Sequence, residues 1–183
     1  FEMNTPEAVT TQYSTSDRLN ARIQLHQRFG VEPKPWTRWL FDQFELPANA
    51  QLLEVGCGTG KLWQENLDQL RDSWSITLTD QSPGMLAQTR EILGDQVARF
   101  AIEQMDVQTL AFHDAAFDAV IANHMLYHVP DLNQGLSEIQ RVLKPDGKLF
   151  AATNGAQHLL ELHELVHEFD ANFAVKPWRL GFS

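Results

Sequence analysis

The hydrophobic pattern changes at residue 51 into short apolar runs separated by amphipathic stretches. The apolar runs, which predict strands, are residues 51–55, 75–79, 99–102, 117–122 and 148–153. The stretches between them with helical spacing are residues 61–71, 83–93 and 131–143. Strands that alternate with helices form a parallel sheet covered on both faces, so the pattern predicts a doubly wound α/β fold.

The first 46 residues follow a different pattern. Residues 17–29 predict a helix with Arg18, Arg22 and His26 on one stripe, and a second amphipathic helix starts at Trp36 with Trp39, Leu40 and Phe44 on its apolar face. We expect residues 1–46 to form a helical lid and residues 47–183 to form the core. In this arrangement Tyr13, Arg22 and His26 are the candidates for lid contacts to a ligand or substrate.

Composition and charge narrow the classes of partner. A chain of 183 residues is enough for one domain, and its net charge of −10 disfavours binding to nucleic acid. The single cysteine, Cys57, excludes an intrachain disulfide, so we expect a reducing, cytoplasmic location. No apolar run has the length of a membrane span, and we expect no membrane partner.

A glycine-rich loop, Gly56-Cys-Gly-Thr-Gly60, follows the first strand and precedes a helix. Glycines let the backbone turn sharply and approach a ligand, and the helix that follows offers free N–H groups. The spacing is G-x-G-x-G, whereas the dinucleotide fingerprint is G-x-G-x-x-G. Asp80 ends the second strand, where a carboxylate can accept both hydroxyls of a ribose. Together the two motifs indicate an adenosine-like ligand.

Five segments in this order resemble the class I S-adenosylmethionine-dependent methyltransferases, in particular those that act on small molecules. They are the glycine segment 52–60, the ribose segment 76–86, the adenine segment 104–107, the fourth strand with its loop at 117–128 and the turn at 143–149. The resemblance covers residues 51–153. It implies a Rossmann-like sheet of order 3-2-1-4-5, S-adenosylmethionine as cofactor and S-adenosylhomocysteine as product.

The resemblance also implies roles for single residues. Glu54 would organise the glycine loop and the methionine end of the cofactor, while Gly56, Gly58 and Gly60 pass beneath it. Asp80 is expected at the ribose, and Asn123 is expected at the sulfonium. The adenine would be lined by Gln81, Met85, Asp106 and Val107.

The loop after the fourth strand carries the candidates for acid–base chemistry. Methyl transfer needs a base only where the acceptor loses a proton, and His128, Tyr127 and His124 lie at the correct end of the sheet. His128 is the first choice because histidine titrates near neutral pH. The motif His163-Glu-Leu-Val-His167 matches a zinc-protease pattern, but no convincing third ligand follows it, so we expect no metal.

Two alternatives stay open at this stage: a nicotinamide-dependent oxidoreductase, and a binding module that keeps the cofactor pocket without turnover. The resemblance implies seven strands, yet the sequence predicts five strands and a further helix at 156–173. We therefore expect a core truncated at its C-terminus, with the final strand pair missing. The fifth strand would then form an unprotected edge through which the chain self-associates.

Overall fold

The computed structural model describes residues 28, 34–155, 165 and 168–169. Its strands are β1 Gln51–Val55, β2 Ser75–Asp80, β3 Phe100–Gln104, β4 Phe117–Asn123 and β5 Leu143–Ala152. All of the pairings between them are parallel, in the order β3-β2-β1-β4-β5. The predicted α/β class and the strand order 3-2-1-4-5 are confirmed.

The helices lie on both sides of this sheet, as the pattern predicts. They are α1 Trp36–Phe41, α2 Lys61–Gln64, α3 Pro83–Leu93 and α4 Leu132–Val142, with short 3₁₀ turns at Leu67–Gln69, Gly94–Arg99 and Leu126–His128. In the described part of the chain, no helix has both the length and the apolar character that a membrane crossing requires.

The sheet separates two hydrophobic clusters, and adjacent residues of β1 belong to different ones. Leu52 packs with Trp63 and Ile76 on one face, and Leu53 packs with Val120 and Ile139 on the other. All six side chains are buried. Burial on both faces explains why Leu52, Leu53 and Val55 of β1 are all apolar, because strands of covered parallel sheets do not alternate apolar and polar residues; Glu54 is the polar exception among its buried positions.

The helix predicted over residues 61–71 is shorter in the structure, where α2 ends at Gln64. Asn66 is fully buried, and its side-chain Nδ2 donates to Leu62 O at 2.7 Å and to Thr37 O at 3.2 Å. An asparagine amide that bonds to nearby backbone carbonyls competes with the regular helix. The chain continues as the 3₁₀ turn Leu67–Gln69.

The turn expected within residues 143–149 is an irregularity inside β5. Phe117 pairs with Leu143, but Ala119 pairs with Lys148, so the intervening residues bulge out of the ladder. Asp146 adopts a left-handed conformation with φ of 67° in this bulge. The bulge lets the chain enter β5 directly from α4.

The apolar face predicted for α1 is wrong for its two tryptophans. Trp36 and Trp39 were expected on its apolar face, but they are 42% and 52% exposed, and Leu40 and Phe41 are the buried residues. The helix ends at Phe41, because Gln43 and Phe44 donate to carbonyls three residues back. The predicted helices 17–29 and 156–173, with Tyr13, Arg22, His26 and the motif 163–167, lie outside the described residues apart from single positions.

Candidate functional site

The loop between β1 and α2 is shaped by three glycines in left-handed conformations. Gly56, Gly58 and Gly60 have φ values of 64°, 58° and 71°. Side chains with a Cβ disfavour this region, which explains the alternate glycines of the motif. Cys57 N donates to Thr79 O at 2.9 Å, so the hydrogen bonding between β1 and β2 continues into the loop.

The carboxylate at the end of β2 is held by two backbone amides. Asp80 Oδ2 accepts from Gly58 N at 2.9 Å, and Oδ1 accepts from Ser82 N at 2.8 Å. Burial raises the pKa of Asp80, and these backbone hydrogen bonds oppose that rise. A carboxylate oxygen can accept more than one hydrogen bond, so Asp80 retains acceptor capacity for a ligand.

Helix α3, which follows β2, also contacts the glycine loop. Thr89 Oγ1 lies 2.8 Å from Gly58 O and 3.0 Å from Met85 O. A Cβ on Gly60 would lie 2.7 Å from Thr89 Cγ2, so this glycine also allows α3 to approach closely. Ser82 caps α3, since its hydroxyl accepts from Met85 N at 3.3 Å.

A buried chain of hydrogen bonds connects α2, β1 and β4. Trp63 Nε1 donates to Glu54 Oε2 at 2.6 Å, and Asn123 Nδ2 donates to Glu54 Oε1 at 3.4 Å. Glu54 is only 2% exposed, and burial raises its pKa to about 8 although both hydrogen bonds lower it. Asn123 Oδ1 is buried without a hydrogen-bond partner in the described structure.

The adenine segment follows β3. Asp106 accepts from Gln108 N at 2.9 Å, and the Gln108 side-chain amide donates to both Asp106 carboxylate oxygens at 3.0 and 2.9 Å. Gln108 Oε1 accepts from Asp131 N at the start of α4, so the loop is tied to that helix. Val107 is buried, whereas Gln81 is exposed and accepts from Gln104 Nε2 at its carbonyl.

The loop after β4 carries the three acid–base candidates. His124 has φ of 52° and its backbone N–H donates to Ala152 O at 2.8 Å. Its ring lies 5.1 Å from the Trp36 ring. Tyr127 and His128 occupy the short 3₁₀ turn, with ring centroids 4.4 Å apart and both side chains partly buried. The loop therefore orders these rings at the carboxyl end of the sheet.

The structure brings most of the predicted site residues to one edge of the sheet, and it adds four that the sequence analysis did not assign to the site: Trp36, Trp63, Gln108 and Met125. Met125 packs against the glycine loop, and a Cβ on Gly56 would lie 2.8 Å from Met125 Cβ. Trp36 and Trp63 were missed because they reach the site through tertiary contact. Gln108 follows the adenine segment directly and Met125 lies within the segment 117–128, so their positions were the available sequence signal.

Comparison with known proteins identifies the family. A family described as "Methyltransferase domain" matches residues 53–151, just over half of the chain. The chain is 33% identical to a demethylmenaquinone methyltransferase of Lactobacillus johnsonii, over 73% of this chain and 53% of that protein. It is 34% identical to the ubiquinone/menaquinone biosynthesis C-methyltransferase UbiE of Hahella chejuensis, over 62% of this chain and 47% of that protein.

Solved structures show the same fold. The [4+2]-cyclase SpnF superposes with a TM-score of 0.65 at 23% identity, covering 80% of this chain and 59% of the cyclase. The chain spans about half the length of the two curated relatives named above. The strand order, the glycine loop with its acidic partner and the match to residues 53–151 together show that the chain belongs to the class I S-adenosylmethionine-dependent methyltransferases.

Proposed function

We propose that this chain binds S-adenosylmethionine along the carboxyl edge of its sheet and transfers the methyl group to a small-molecule acceptor, leaving S-adenosylhomocysteine. The observation that carries the proposal is the hydrogen bond from Gly58 N to Asp80 Oδ2. It fixes a carboxylate beside the glycine loop, as recognition of an adenosine ribose requires. The loop spacing G-x-G-x-G, in place of the dinucleotide fingerprint G-x-G-x-x-G, favours a ligand without pyrophosphate.

The residues present fit such a cofactor. Asp80 would accept the ribose hydroxyls, and the glycine loop would pass beneath the ligand. Asp106 and Val107, with Gln81 and Met85, would bracket the adenine. Glu54 and Asn123 would face the cationic end, where the buried Asn123 Oδ1 lacks a hydrogen-bond partner in the described structure. A cation there would satisfy this oxygen.

Methyl transfer mainly requires the protein to align the acceptor with the methyl group. Bound S-adenosylmethionine supplies a methyl group that its positive sulfur activates, so the chain needs to orient the acceptor and to exclude water. His128 is our candidate for removing a proton from the acceptor, with Tyr127 and His124 as further candidates. Trp36, whose ring lies beside His124, would form part of the wall on the acceptor side.

The proposal extends to the methyl acceptor, the lid, the cellular location and self-association. The names of the curated relatives point to quinone precursors, so we propose a neutral or cationic small molecule and not a nucleic acid, in keeping with the net charge of −10. Residues 1–46 would form a lid that contributes Tyr13, Arg22 and His26 over a core of residues 47–183. We further propose a cytoplasmic location and self-association through the β5 edge.

The test is transfer of a radioactive methyl group from S-adenosylmethionine into pools of small acceptors, which include quinols. We expect label in at least one product and S-adenosylhomocysteine in equal amount. Binding without transfer to any pool would favour the alternative of a non-catalytic binding module. Binding of NAD in place of S-adenosylmethionine would favour the oxidoreductase.

A further inference from the structure

The hydrogen bonds between Trp63, Glu54 and Asn123 have a direction. The indole N–H of Trp63 can only donate, so the Glu54 oxygen that it contacts at 2.6 Å must accept. The second Glu54 oxygen accepts from the Asn123 amide group. An asparagine that donates from its nitrogen on one side presents its carbonyl oxygen on the other, and this oxygen is the buried one without a partner.

The protonation state of Glu54, whose pKa burial raises to about 8, decides the orientation of Asn123. An ionised carboxyl accepts hydrogen bonds only, so it attracts the nitrogen of the Asn123 amide. A protonated carboxyl has a hydrogen to donate and would favour the reversed amide, with the Asn123 oxygen turned towards Glu54. The group that Asn123 offers to the site is thus an acceptor in the first case and a donor in the second.

We propose that Trp63 is a positioning residue that holds the Glu54 carboxylate and, through it, keeps the Asn123 carbonyl oxygen facing the cationic end of the cofactor. The inference rests on the proposed function. Trp63 itself stays in the core, where it is fully buried and its ring packs edge-on against Phe41 and Phe100. Its indole N–H is the part of the side chain that acts on the site.

Of the other groups near Glu54, Asp80 opposes its ionisation, and neither Cys57 nor Thr79 supplies a positive charge to favour it. Asp80 on β2 raises the pKa of Glu54 by repulsion, and Cys57 in the glycine loop is a buried thiol whose own pKa is raised well above its ordinary value by burial. Thr79 Oγ1 donates to the backbone O of Glu54 at 3.0 Å and adds no charge. Hydrogen bonds from Trp63 and Asn123 are the contacts that favour the ionised form.

A series of three ligands tests the proposal, because they share adenine and ribose but differ in positive charge. S-adenosylmethionine carries a sulfonium and an ammonium, S-adenosylhomocysteine only the ammonium, and 5′-methylthioadenosine neither. The variant is Trp63→Phe, which keeps the ring packing and removes the donor. Trp74→Phe is the matched control, because Trp74 is also buried, also packs on Phe41 and donates its indole N–H to Pro47 O at 2.9 Å.

We expect Trp63→Phe to weaken S-adenosylmethionine binding about tenfold, the loss of one hydrogen bond to a charged group. Binding of 5′-methylthioadenosine should stay within about twofold, since a ligand without the cation does not use this hydrogen-bond chain. S-adenosylhomocysteine distinguishes the two cations. Its affinity should fall in parallel with that of S-adenosylmethionine if Asn123 faces the ammonium, and it should stay unchanged if Asn123 faces the sulfonium. Equal weakening for all three ligands, or for none, would overturn the proposal.

A second measurement uses the protein without any ligand. The Trp63 indole ¹H–¹⁵N signal, assigned by its absence in Trp63→Phe, should shift with pH as Glu54 ionises and should lose this shift in Glu54→Gln. An indole signal that does not respond to pH contradicts the proposal even if the cofactor binds. Failure of wild-type protein to bind any of the three ligands while the indole signal responds would instead contradict the proposed function.

Discussion

The backbone N–H of Gly58 donates a 2.9 Å hydrogen bond to Asp80 Oδ2, which joins the glycine loop after β1 to the carboxylate that ends β2. The carboxylate proposed to bind the ribose therefore also holds the loop that passes beneath the cofactor. A change at either residue alters both parts of the binding surface. The two motifs separated by 22 positions in the sequence form one structural unit.

Asp80→Ala is expected to reduce S-adenosylmethionine affinity by at least tenfold, because two charge-assisted hydrogen bonds to a ribose are worth about 1.5–3 kcal/mol each. Affinity for 5′-methylthioadenosine should fall equally, since it has the same ribose. Asp72→Ala is the control, because Asp72 is a fully exposed carboxylate paired with Arg99. Calorimetric titration measures all three proteins, and a loss below about threefold at Asp80 would remove it from the site.

Gly58→Val is expected to abolish cofactor binding while the protein still folds, because the branched side chain would occupy cofactor space. The left-handed backbone adds a cost in stability of about 1–2 kcal/mol. Gly94→Val is the control for backbone strain, since Gly94 has φ of 52° and ψ of −128°, which L-residues also avoid, and a Cβ there would meet nothing within 4 Å. Urea unfolding should show a loss of stability for both variants, and only Gly58→Val should lose binding. Full affinity in Gly58→Val would mean that the loop is only a turn.

The elements that the sequence predicted well are those that local rules determine. β1 is a short, mostly apolar run, and α3 begins at a serine cap and a proline and is followed by a glycine. The early end of α2 was beyond such rules, because it depends on the Asn66 amide reaching Thr37 O, 29 residues away. The hydrogen bond from the Trp63 indole to Glu54 was beyond such rules as well, because it also depends on tertiary contact.

Asp106→Ala is expected to lower the preference for adenine over hypoxanthine, because its carboxylate would accept from the adenine amino group. Affinity for 5′-methylthioadenosine should fall about tenfold, whereas that for 5′-methylthioinosine should hardly change. Gln108→Ala tests the same carboxylate indirectly, since the Gln108 amide orients the Asp106 carboxylate. An unchanged ratio of the two affinities in Asp106→Ala would assign Asp106 to loop structure alone.

Glu54→Gln is expected to change how stability depends on pH. Because the pKa of Glu54 is raised from 4.5 to about 8 in the folded protein, unfolding releases a proton between these values and wild-type stability falls as pH rises. The contribution of this group is at most about 1.4 kcal/mol per pH unit. Glutamine does not titrate, so the stability of the variant relative to wild type should increase from pH 5 to pH 8 in urea unfolding. Parallel curves for the two proteins would contradict the raised pKa.

The central claim is that the carboxyl edge of this sheet is a site for S-adenosylmethionine, and calorimetric titration of the wild-type chain with S-adenosylmethionine, S-adenosylhomocysteine and NAD tests it most directly. We predict saturable binding of the first two at one site per chain, competition between them, and no heat from NAD at the same concentrations. Binding of NAD with no heat from either adenosyl compound would contradict the account.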